Sequence, residues 1–401
     1  MTAGVPYSSV ALRATAFQLA VGLVVVFATA PQSRASGQLS RSVVAAGGLI
    51  YVSSITSPLV AALPATGALS EIDRQTRAVL DELRQDLSTA GSSLADVVNV
   101  NVFLRHPSDF DAMNAVYRTY FADSPPARTT VAVDLPPDVL IQVSAVAVPT
   151  GTSRLTLQPS TWAKSPRPYS YMVRAGDLVF MSGLVSRRGT DDQVVPGPVS
   201  LQVRTILDNV GTLLRTAGLT YDDVVATRVF LVDDSDFEAM NTEYRRRFAS
   251  DPPARATAIT GLMGSDAMVE ISLIASALPK EIIGPLVSPT LPVSTAVRAG
   301  SRVFLSGVTG TTDSNATDPA SQATEALGHL SHALSLAGLA PADVVDTTVY
   351  LPRLSDAPVV DEVYGGFFGA DPPARTVAGA KLISRTGLVE IMATAVSKSA
   401  R

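Results

Sequence analysis

Three arginines occupy the same short phrase of this sequence. Arg128, Arg255 and Arg375 each follow a Pro-Pro-Ala tripeptide, at intervals of about 120 residues. Two prolines fix the φ angles of the turn, and each biases the residue before it towards an extended conformation. A guanidinium held by such a turn can bind a carboxylate through two parallel hydrogen bonds. A salt bridge between repeats is the alternative, but recurrence in matched positions favours a ligand.

Glutamates recur in the last predicted strand of two repeats. Glu270 and Glu390 each lie between a valine and an isoleucine. Because side chains alternate between the faces of a strand, Val269 and Ile271 are expected to pack beneath helices while Glu270 lies on the other face. Beside an arginine, such a carboxylate could orient water or transfer a proton. The first repeat has Gln142 at this position, so we expect that repeat to lack the acid–base group.

The composition excludes several other chemistries. With no Cys and only three His, disulfides, thiolate nucleophiles and cysteine-based zinc sites are excluded, and we expect no metal. His329 and His332 are three residues apart on a predicted helix, without a third ligand, which is typical of a solvated face. Ser53, Ser182 and Ser306 each end a strand, but no histidine recurs beside them, which argues against a serine triad. A net charge of −5 without a basic tract predicts no nucleic-acid partner.

The arginines and glutamates belong to a repeated α+β unit with the predicted order β-β-α-β-α-β-β. The helical spacing of apolar residues, with a period of about 3.6 residues, is clearest in the first helix of the second copy, from Val203 to Leu214. We assign copy 1 to residues 40–150, copy 2 to 169–278 and copy 3 to 293–401. Pro/Ser/Thr-rich stretches at 151–168 and 279–292 have no periodicity and are interpreted as linkers; the single tryptophan, Trp162, is expected to be a packing anchor in the first.

The charged fraction supports close packing of the three copies. Of the 401 residues, 46% are hydrophobic and only 17% are charged, against roughly 25% charged in ordinary soluble domains. We therefore expect neighbouring copies to bury neutral sheet faces against one another in one closed assembly.

The N-terminal segment, residues 1–39, differs from the copies. Its apolar run, Leu19–Ala28, is too short to span a bilayer, so no stable membrane anchor is expected. The run fits the apolar core of a signal peptide, with Arg13 before it and small residues near Ala35 after it. Export, periplasmic or secreted, is the favoured interpretation. A buried β-strand at 24–27 in a cytoplasmic protein is the alternative.

Taken together, the Pro-Ala-Arg turn, the Val-Glu-Ile strand, the strand-ending Ser-Gly and an Asn-x-x-Tyr helix segment resemble the Rid family. These reactive intermediate deaminases are also labelled L-PSP endoribonucleases. The resemblance covers the chain once per copy. It implies a chorismate-mutase-like α+β fold that forms homotrimers, with ligand clefts between neighbours, so one chain of three copies would be an intramolecular pseudo-trimer. It also implies cofactor-free hydrolysis of imino acids such as 2-aminoacrylate to 2-keto acids and ammonia.

The family's cleft residues carry over most fully onto copy 2. The resemblance implies catalytic roles for Arg255, Glu270, Arg375 and Glu390, and substrate-binding roles for Arg128, Tyr169, Ser182, Asn241, Ser306, Ser53 and Asn114. Copy 3 has Val293 in place of the tyrosine and Asp361 in place of the asparagine. Copy 1 has Ser40 for the tyrosine, Ser54 for the usual glycine and Gln142 for the glutamate.

We expect at least one cleft between copies, using Arg255 or Arg375 with a glutamate, to be competent. The small-molecule partner would be a carboxylate held by arginine, with serine and backbone groups near its nitrogen and glutamate positioning water. A non-catalytic carboxylate binder or scaffold with degenerate clefts is the alternative. Endoribonuclease activity is the least favoured interpretation, because the chain is acidic.

Overall fold

The computed structural model describes residue 1 and residues 40–57, 69–288 and 290–397. Residues 40–57, 69–288 and 290–397 all belong to one compact unit, Leu39–Arg401. The predicted signal peptide lies outside the described residues. Within the described ranges, no helix is long and apolar enough to cross a membrane.

Each copy has the predicted order of elements, and the α+β prediction is confirmed. Copy 1 contains β1 (Val43–Ala46), β2 (Leu49–Thr56), α1 (Glu71–Thr89), β3 (Val97–Leu104), α2 (Phe110–Tyr120), β4 (Ala127–Ala132) and β5 (Ile141–Ala147). After β6 (Arg154–Leu157), copy 2 contains β7 (Met172–Ala175), β8 (Leu178–Leu184), α3 (Val199–Thr216), β9 (Val224–Leu231), α4 (Phe237–Arg245), β10 (Ala254–Ile259), β11 (Gly261–Leu262) and β12 (Val269–Ser276). After β13 (Lys280–Leu286), copy 3 contains β14 (Ser294–Ala299), β15 (Arg302–Thr309), α5 (Pro319–Leu336), β16 (Val344–Leu351), α6 (Ala357–Phe368), β17 (Ala374–Gly379), β18 (Lys381–Leu382) and β19 (Glu390–Val396).

The closing strand of each copy lies in the middle of a mixed sheet. In copy 1 the order is β1-β2-β5-β3-β4, and the other copies repeat it as β7-β8-β12-β9-β10 and β14-β15-β19-β16-β17. The pairs β3–β4, β9–β10 and β16–β17 are parallel and are joined through a helix, whereas the remaining pairs are antiparallel. The glutamates are thus on a strand with a neighbour on each side.

Both faces of each sheet are buried, as the low charge fraction predicts. On one face of β12, Val269 and Ile271 pack against Val203 and Ile206 of α3, which confirms the predicted alternation. The opposite faces of all three sheets share one apolar core, to which the copies contribute Tyr51, Phe180 and Phe304 at matched positions.

Short strands join the copies in a ring. Strand β11 of copy 2 pairs with β4 of copy 1, and β18 of copy 3 pairs with β10 of copy 2. Copies 1 and 3 are joined by an antiparallel bridge in which the N–H groups of Asp134 and Gly379 donate to each other's carbonyls at 2.8 and 3.2 Å. One edge of each sheet, that of β4, β10 or β17, is therefore hydrogen-bonded to another copy rather than left open.

The two predicted linkers each contain a strand, which sequence periodicity did not indicate. Strand β6 pairs with β7, and β13 pairs with β14, both antiparallel, at the outer edge of the sheet that follows. Most of their side chains are exposed or only partly buried. Without a strongly buried face, such edge strands lack the alternating pattern by which strands are predicted.

One contact joins all three copies and breaks their threefold repetition. The Arg302 side chain of copy 3 donates to Asp177 of copy 2, with Nη1 to Oδ2 at 2.9 Å, and to the Gly47 carbonyl of copy 1. Its side chain is only 11% exposed. The matched positions in copies 1 and 2 are Leu49 and Leu178, so only copy 3 places a cation here.

Replacing Arg302 with leucine should destabilise the assembly. Arg302→Leu leaves Asp177 and the Gly47 carbonyl without their donor, and we expect a loss of about 1–3 kcal/mol in the free energy of unfolding. The matched control is Arg385→Gln, which breaks the exposed ion pair with Asp234 and should cost less than about 1 kcal/mol. Equal losses in the two variants, measured by denaturant unfolding, would contradict a structural role for Arg302.

Candidate active site

The guanidinium of Arg128, the first motif arginine, is held by side chains of its own copy. Arg128 Nη2 donates to Asn114 Oδ1 of α2 at 2.7 Å. Its guanidinium carbon lies 4.7 Å from the centre of the Tyr117 ring, a geometry that favours a cation. Arg128 is buried, yet its Nη1 has no hydrogen-bond partner among the described residues. A buried donor of this kind is costly unless a ligand accepts from it.

Copy 2 repeats this arrangement closely. Arg255 Nη2 donates to Asn241 Oδ1 at 2.8 Å, and the guanidinium lies 4.8 Å from the Tyr244 ring centre. Its Nη1 also lacks a partner within the described ranges. Each of the two buried asparagines thus accepts a hydrogen bond from the motif arginine of its own copy.

Three matched serines connect neighbouring copies. They were expected to end strands, but Ser53, Ser182 and Ser306 lie within β2, β8 and β15. The backbone N–H of Arg128 donates to Ser182 Oγ of copy 2 at 2.8 Å, and that hydroxyl donates to the Ser170 carbonyl at 2.7 Å. Ser306 and Ser53 accept from the N–H groups of the next two motif arginines, both at 2.9 Å. The resemblance implies that these serines bind substrate; in the structure each buried hydroxyl joins two copies through backbone groups.

Each glutamate faces the arginine of the preceding copy. Glu270 of copy 2 lies against Arg128 of copy 1 and accepts a hydrogen bond from the Thr130 backbone, yet burial outweighs both and raises its pKa to about 8. Glu390 of copy 3 lies against Arg255 of copy 2 in the same way. Burial raises its pKa to about 7, opposed by the Thr257 backbone and by that arginine. We name these sites cleft 1–2 and cleft 2–3.

Gly183 and Gly307, which follow Ser182 and Ser306, make room for the carboxylates of Glu270 and Glu390. A Cβ atom on Gly183 would lie 1.8 Å from Glu270 Oε1, and one on Gly307 would lie 2.0 Å from Glu390 Oε1. In copy 1 the matched residue is Ser54, and the glutamate is absent there.

The third site, cleft 3–1, differs in charge and corrects one expectation. Arg375 does not meet a glutamate: the side chain opposite it is Gln142, whose Nε2 donates to the Val377 carbonyl at 2.8 Å. Asp361 pairs with Arg375 at 2.7 Å between Oδ1 and Nη1, although Nε and Nη2 of Arg375 lack partners within the described part of the chain. The arginine charge is thus already balanced by an aspartate, and the acid–base group is missing.

The structure therefore divides the residues of copy 2 between two sites. Tyr169, Ser182 and Glu270 belong to cleft 1–2, whereas Asn241 and Arg255 belong to cleft 2–3. Cleft 1–2 opens into a cavity of about 180 Å³, which is lined by Arg128, Tyr169 and Glu270 among others.

Three buried glutamines also position the site, and we did not single them out from the sequence. Gln202 of α3 accepts from the Met268 N–H at 2.9 Å and donates to the Gly197 and Asp266 carbonyls. This fixes the start of the strand that carries Glu270. Gln75 and Gln322 make matching bonds in the other copies. Their recurrence at one position of the first helix was a usable sequence signal.

The histidines do not form a metal site. Among the described residues, no group of three or more His, Asp or Glu side chains could hold a metal ion. His329 Nδ1 instead lies 2.9 Å from the Thr309 carbonyl, within hydrogen-bond distance.

Known proteins show the same threefold division of the chain. The family model described as "Endoribonuclease L-PSP" matches residues 28–149, 162–277 and 286–397. The chain belongs to this family. A "2-iminobutanoate/2-iminopropanoate deaminase" of Capra hircus is 34% identical over 132 residues, which are 32% of this chain and 92% of the relative. A "RutC family protein" of Sulfurisphaera tokodaii is 33% identical over 28% of this chain and 93% of its own length.

One solved structure matches the three-copy arrangement more broadly. A chorismatase crystal structure covers 75% of this chain and 93% of its own length, with a TM-score of 0.50 and 17% identity. At that identity the match supports the fold alone. The two curated relatives named above cover 28% and 32% of this chain, which is about the length of one copy.

The raised glutamate pKa values predict how stability varies with pH. Because folded Glu270 and Glu390 hold their protons more tightly than the unfolded chain does, their stabilising effect is complete below pH 4.5 and is lost as pH rises through about 7 to 8. We expect wild-type unfolding free energy to fall relative to that of Glu270→Gln/Glu390→Gln, by at most about 1.4 kcal/mol per pH unit for each carboxyl. Parallel pH profiles of the two proteins would contradict the raised values.

Proposed function

We propose that the protein hydrolyses 2-imino acids of the 2-aminoacrylate type to 2-keto acids and ammonia at clefts 1–2 and 2–3. The observation that carries this proposal is the meeting, across each copy interface, of a buried arginine nitrogen without a partner and a buried glutamate with a raised pKa. The names of the goat deaminase and of the "Reactive Intermediate Deaminase A" of Arabidopsis thaliana support the same reaction.

Arginine is proposed to select the substrate. Arg128 and Arg255 present Nη1 to the carboxylate of an imino acid, while Nη2 stays on asparagine. The Nη1 group of each arginine can then donate a charge-assisted hydrogen bond to one carboxylate. Holding that group fixes the imine carbon near the glutamate and removes the entropy cost of orienting it.

Glutamate is proposed to transfer the proton. The ionised carboxylate takes a proton from water as the oxygen bonds to the imine carbon, and it returns a proton to the nitrogen. The new hydroxyl group then gives its proton, through the same carboxylate, to the nitrogen as the carbon–nitrogen bond breaks, leaving a 2-keto acid and ammonia. An enamine substrate first gains a proton at its methylene carbon and loses one from its nitrogen to become the imine. A pKa near neutrality suits a group that must act as both base and acid.

Cleft 3–1 is proposed to bind carboxylates weakly or not at all, without turnover. Gln142 cannot titrate, and the Asp361 carboxylate opposes a second anion on Arg375. This retains the non-catalytic alternative for one of the three sites. We also propose that the fused chain takes the place of the homotrimer that the family resemblance implies, since its three copies supply one another's clefts.

Removing the carboxyl groups should abolish catalysis. We expect the double variant Glu270→Gln/Glu390→Gln to lose at least about a hundredfold in kcat/KM, the lower end of general acid–base contributions, and each single variant to keep the activity of one cleft. The assay follows ammonia release from enzymatically generated 2-iminopropanoate, corrected for spontaneous hydrolysis. Glu238→Gln on the exposed face of α4 is the matched control. Wild-type protein no faster than buffer would contradict deamination.

The steric link between glycine and glutamate gives a second test. In the Glu390→Gln background, which leaves cleft 1–2 as the active site, Gly183→Ser should displace Glu270, because the new Cβ falls within bonding distance of the carboxylate. We expect activity to fall about as far as in Glu270→Gln. Gly328→Ser, where a Cβ would meet nothing within 4 Å, is the matched control. Full activity of the Gly183 variant would show that the carboxylate position is not critical.

A further inference from the structure

Cleft 1–2 has an aromatic wall beyond its arginine and glutamate. The cavity there is also lined by Phe110, Trp162, Tyr169 and Tyr171. Its volume of about 180 Å³ corresponds to about six water molecules at about 30 Å³ each. The methyl group of 2-iminopropanoate would leave much of that space unfilled.

The rings follow one another away from the carboxylate-binding end. Arg128 Cζ lies 5.9 Å from the Tyr169 ring centre. Tyr169 and Tyr171 meet edge to face at 5.7 Å, and Trp162 meets Tyr171 edge to face at 5.0 Å. A carboxylate on Arg128 would therefore direct its side chain along apolar ring surfaces, which favour a further aromatic ring.

The position of Trp162 is fixed by the loop that follows β8. Its ring lies so close to Gly189 that a Cβ there would come within 2.0 Å of the indole. The Ala163 N–H donates to the Gly189 carbonyl at 3.0 Å, and Gln158 Nε2 donates to the Trp162 carbonyl at 2.9 Å. Trp162 is thus a packing residue, as predicted, and also a preformed part of the cavity wall.

The other arginines that line the cavity are engaged in ion pairs. Arg167 and Arg187 share the carboxylate of Asp192, at 3.6 and 3.2 Å, and Arg188 pairs with Asp191 at 2.7 Å. Arg128 is left to take one carboxylate, and a second anionic group on the ligand would have to compete with these aspartates.

The aromatic wall is specific to cleft 1–2. The positions of Tyr169 and Tyr171 are occupied in copy 3 by Val293 and Thr295, and in copy 1 by Ser40 and Ser42. Trp162 is the only tryptophan of the chain. The three sites thus share an arginine but differ in what lies beyond it.

We propose that cleft 1–2 selects 2-imino acids whose side chain is an aromatic ring, with the ring held against Trp162 and Tyr171. This inference deepens the proposed deamination and rests on it for the reaction, but not for the class of ligand. Cleft 2–3, with valine and threonine at the matched positions, is expected to lack the preference.

Turnover tests the preference directly. In Glu390→Gln, kcat/KM should be about tenfold or more higher for the imino acid generated from phenylalanine than for that from alanine, a typical discrimination for added apolar contact. Glu270→Gln, which isolates cleft 2–3, should not show this ratio. The ratio in the first variant should also fall when Tyr169 or Tyr171 is changed to its copy 3 counterpart, in Tyr169→Val and Tyr171→Thr. An equal or reversed ratio in Glu390→Gln, with alanine-derived imine still hydrolysed, would overturn the aromatic preference and leave deamination intact.

Binding tests the ligand class without turnover. Because Trp162 is the only tryptophan, its emission, excited where tyrosine does not absorb, reports on cleft 1–2 alone. The non-reactive probe 3-phenylpropanoate should change this emission at concentrations about tenfold lower than propanoate does, and Arg128→Gln should weaken the effect. That result in a protein that hydrolyses neither imine would support the ligand class and reject deamination. No change in emission with 3-phenylpropanoate would overturn the inference.

Discussion

A hydrogen bond from the backbone of each motif arginine to a serine hydroxyl of the neighbouring copy sets the geometry of all three clefts. The arginine lies on a strand of one sheet, and the serine lies within a strand of the next. Because the bond involves the arginine backbone, it leaves the guanidinium available. The same hydroxyl donates to its own copy, so the two strands are held in register. The carboxylate on the adjacent central strand then lies opposite the arginine without any direct bond between them.

Fusion of the copies has allowed the clefts to diverge one at a time. In a homotrimer a substitution changes every site, whereas here Gln142 and Asp361 alter only cleft 3–1. Copy 1 also has Ser54 in place of the glycine that lies beside the carboxylate in the other two copies. Cleft 1–2 differs in another respect, because Tyr169, Tyr171 and Trp162 line it and the matched positions of both tyrosines in the other copies are not aromatic. One chain therefore combines three different environments on a single backbone arrangement.

Much of the fold could be predicted because its signals are local. The order of strands and helices within each copy was predicted from turn residues and periodicity, and the structure has that order. The face on which Glu270 lies followed from simple alternation. The pairing of Arg128 with Glu270 did not, because it joins residues of different copies, and the family resemblance states only that clefts are shared. The raised pKa values of Glu270 and Glu390 depend on burial at the interfaces between copies, and this burial cannot be predicted from the sequence of one copy.

The serine assignment shows a different limit. A repeated polar residue at a strand end predicted contact with a ligand, and the residue type was suitable for it. Only the structure shows that Ser182 is occupied by two backbone groups. Recurrence in a repeat protein thus identifies residues that the assembly needs, and some of them serve the interface rather than the chemistry.

Arg302 makes the three copies non-interchangeable. It occurs once, and it meets an aspartate and a carbonyl supplied by two different copies. A trimer made only of copy 3 would bring three such guanidinium groups to the junction with no aspartate among them, since the residue matched to Asp177 is Ser301. Charge repulsion would oppose that assembly. The order of the copies along the chain is therefore part of the fold. A single copy 3 cut from the chain would lose the neighbours that complete its clefts, and further molecules of copy 3 could not take their place.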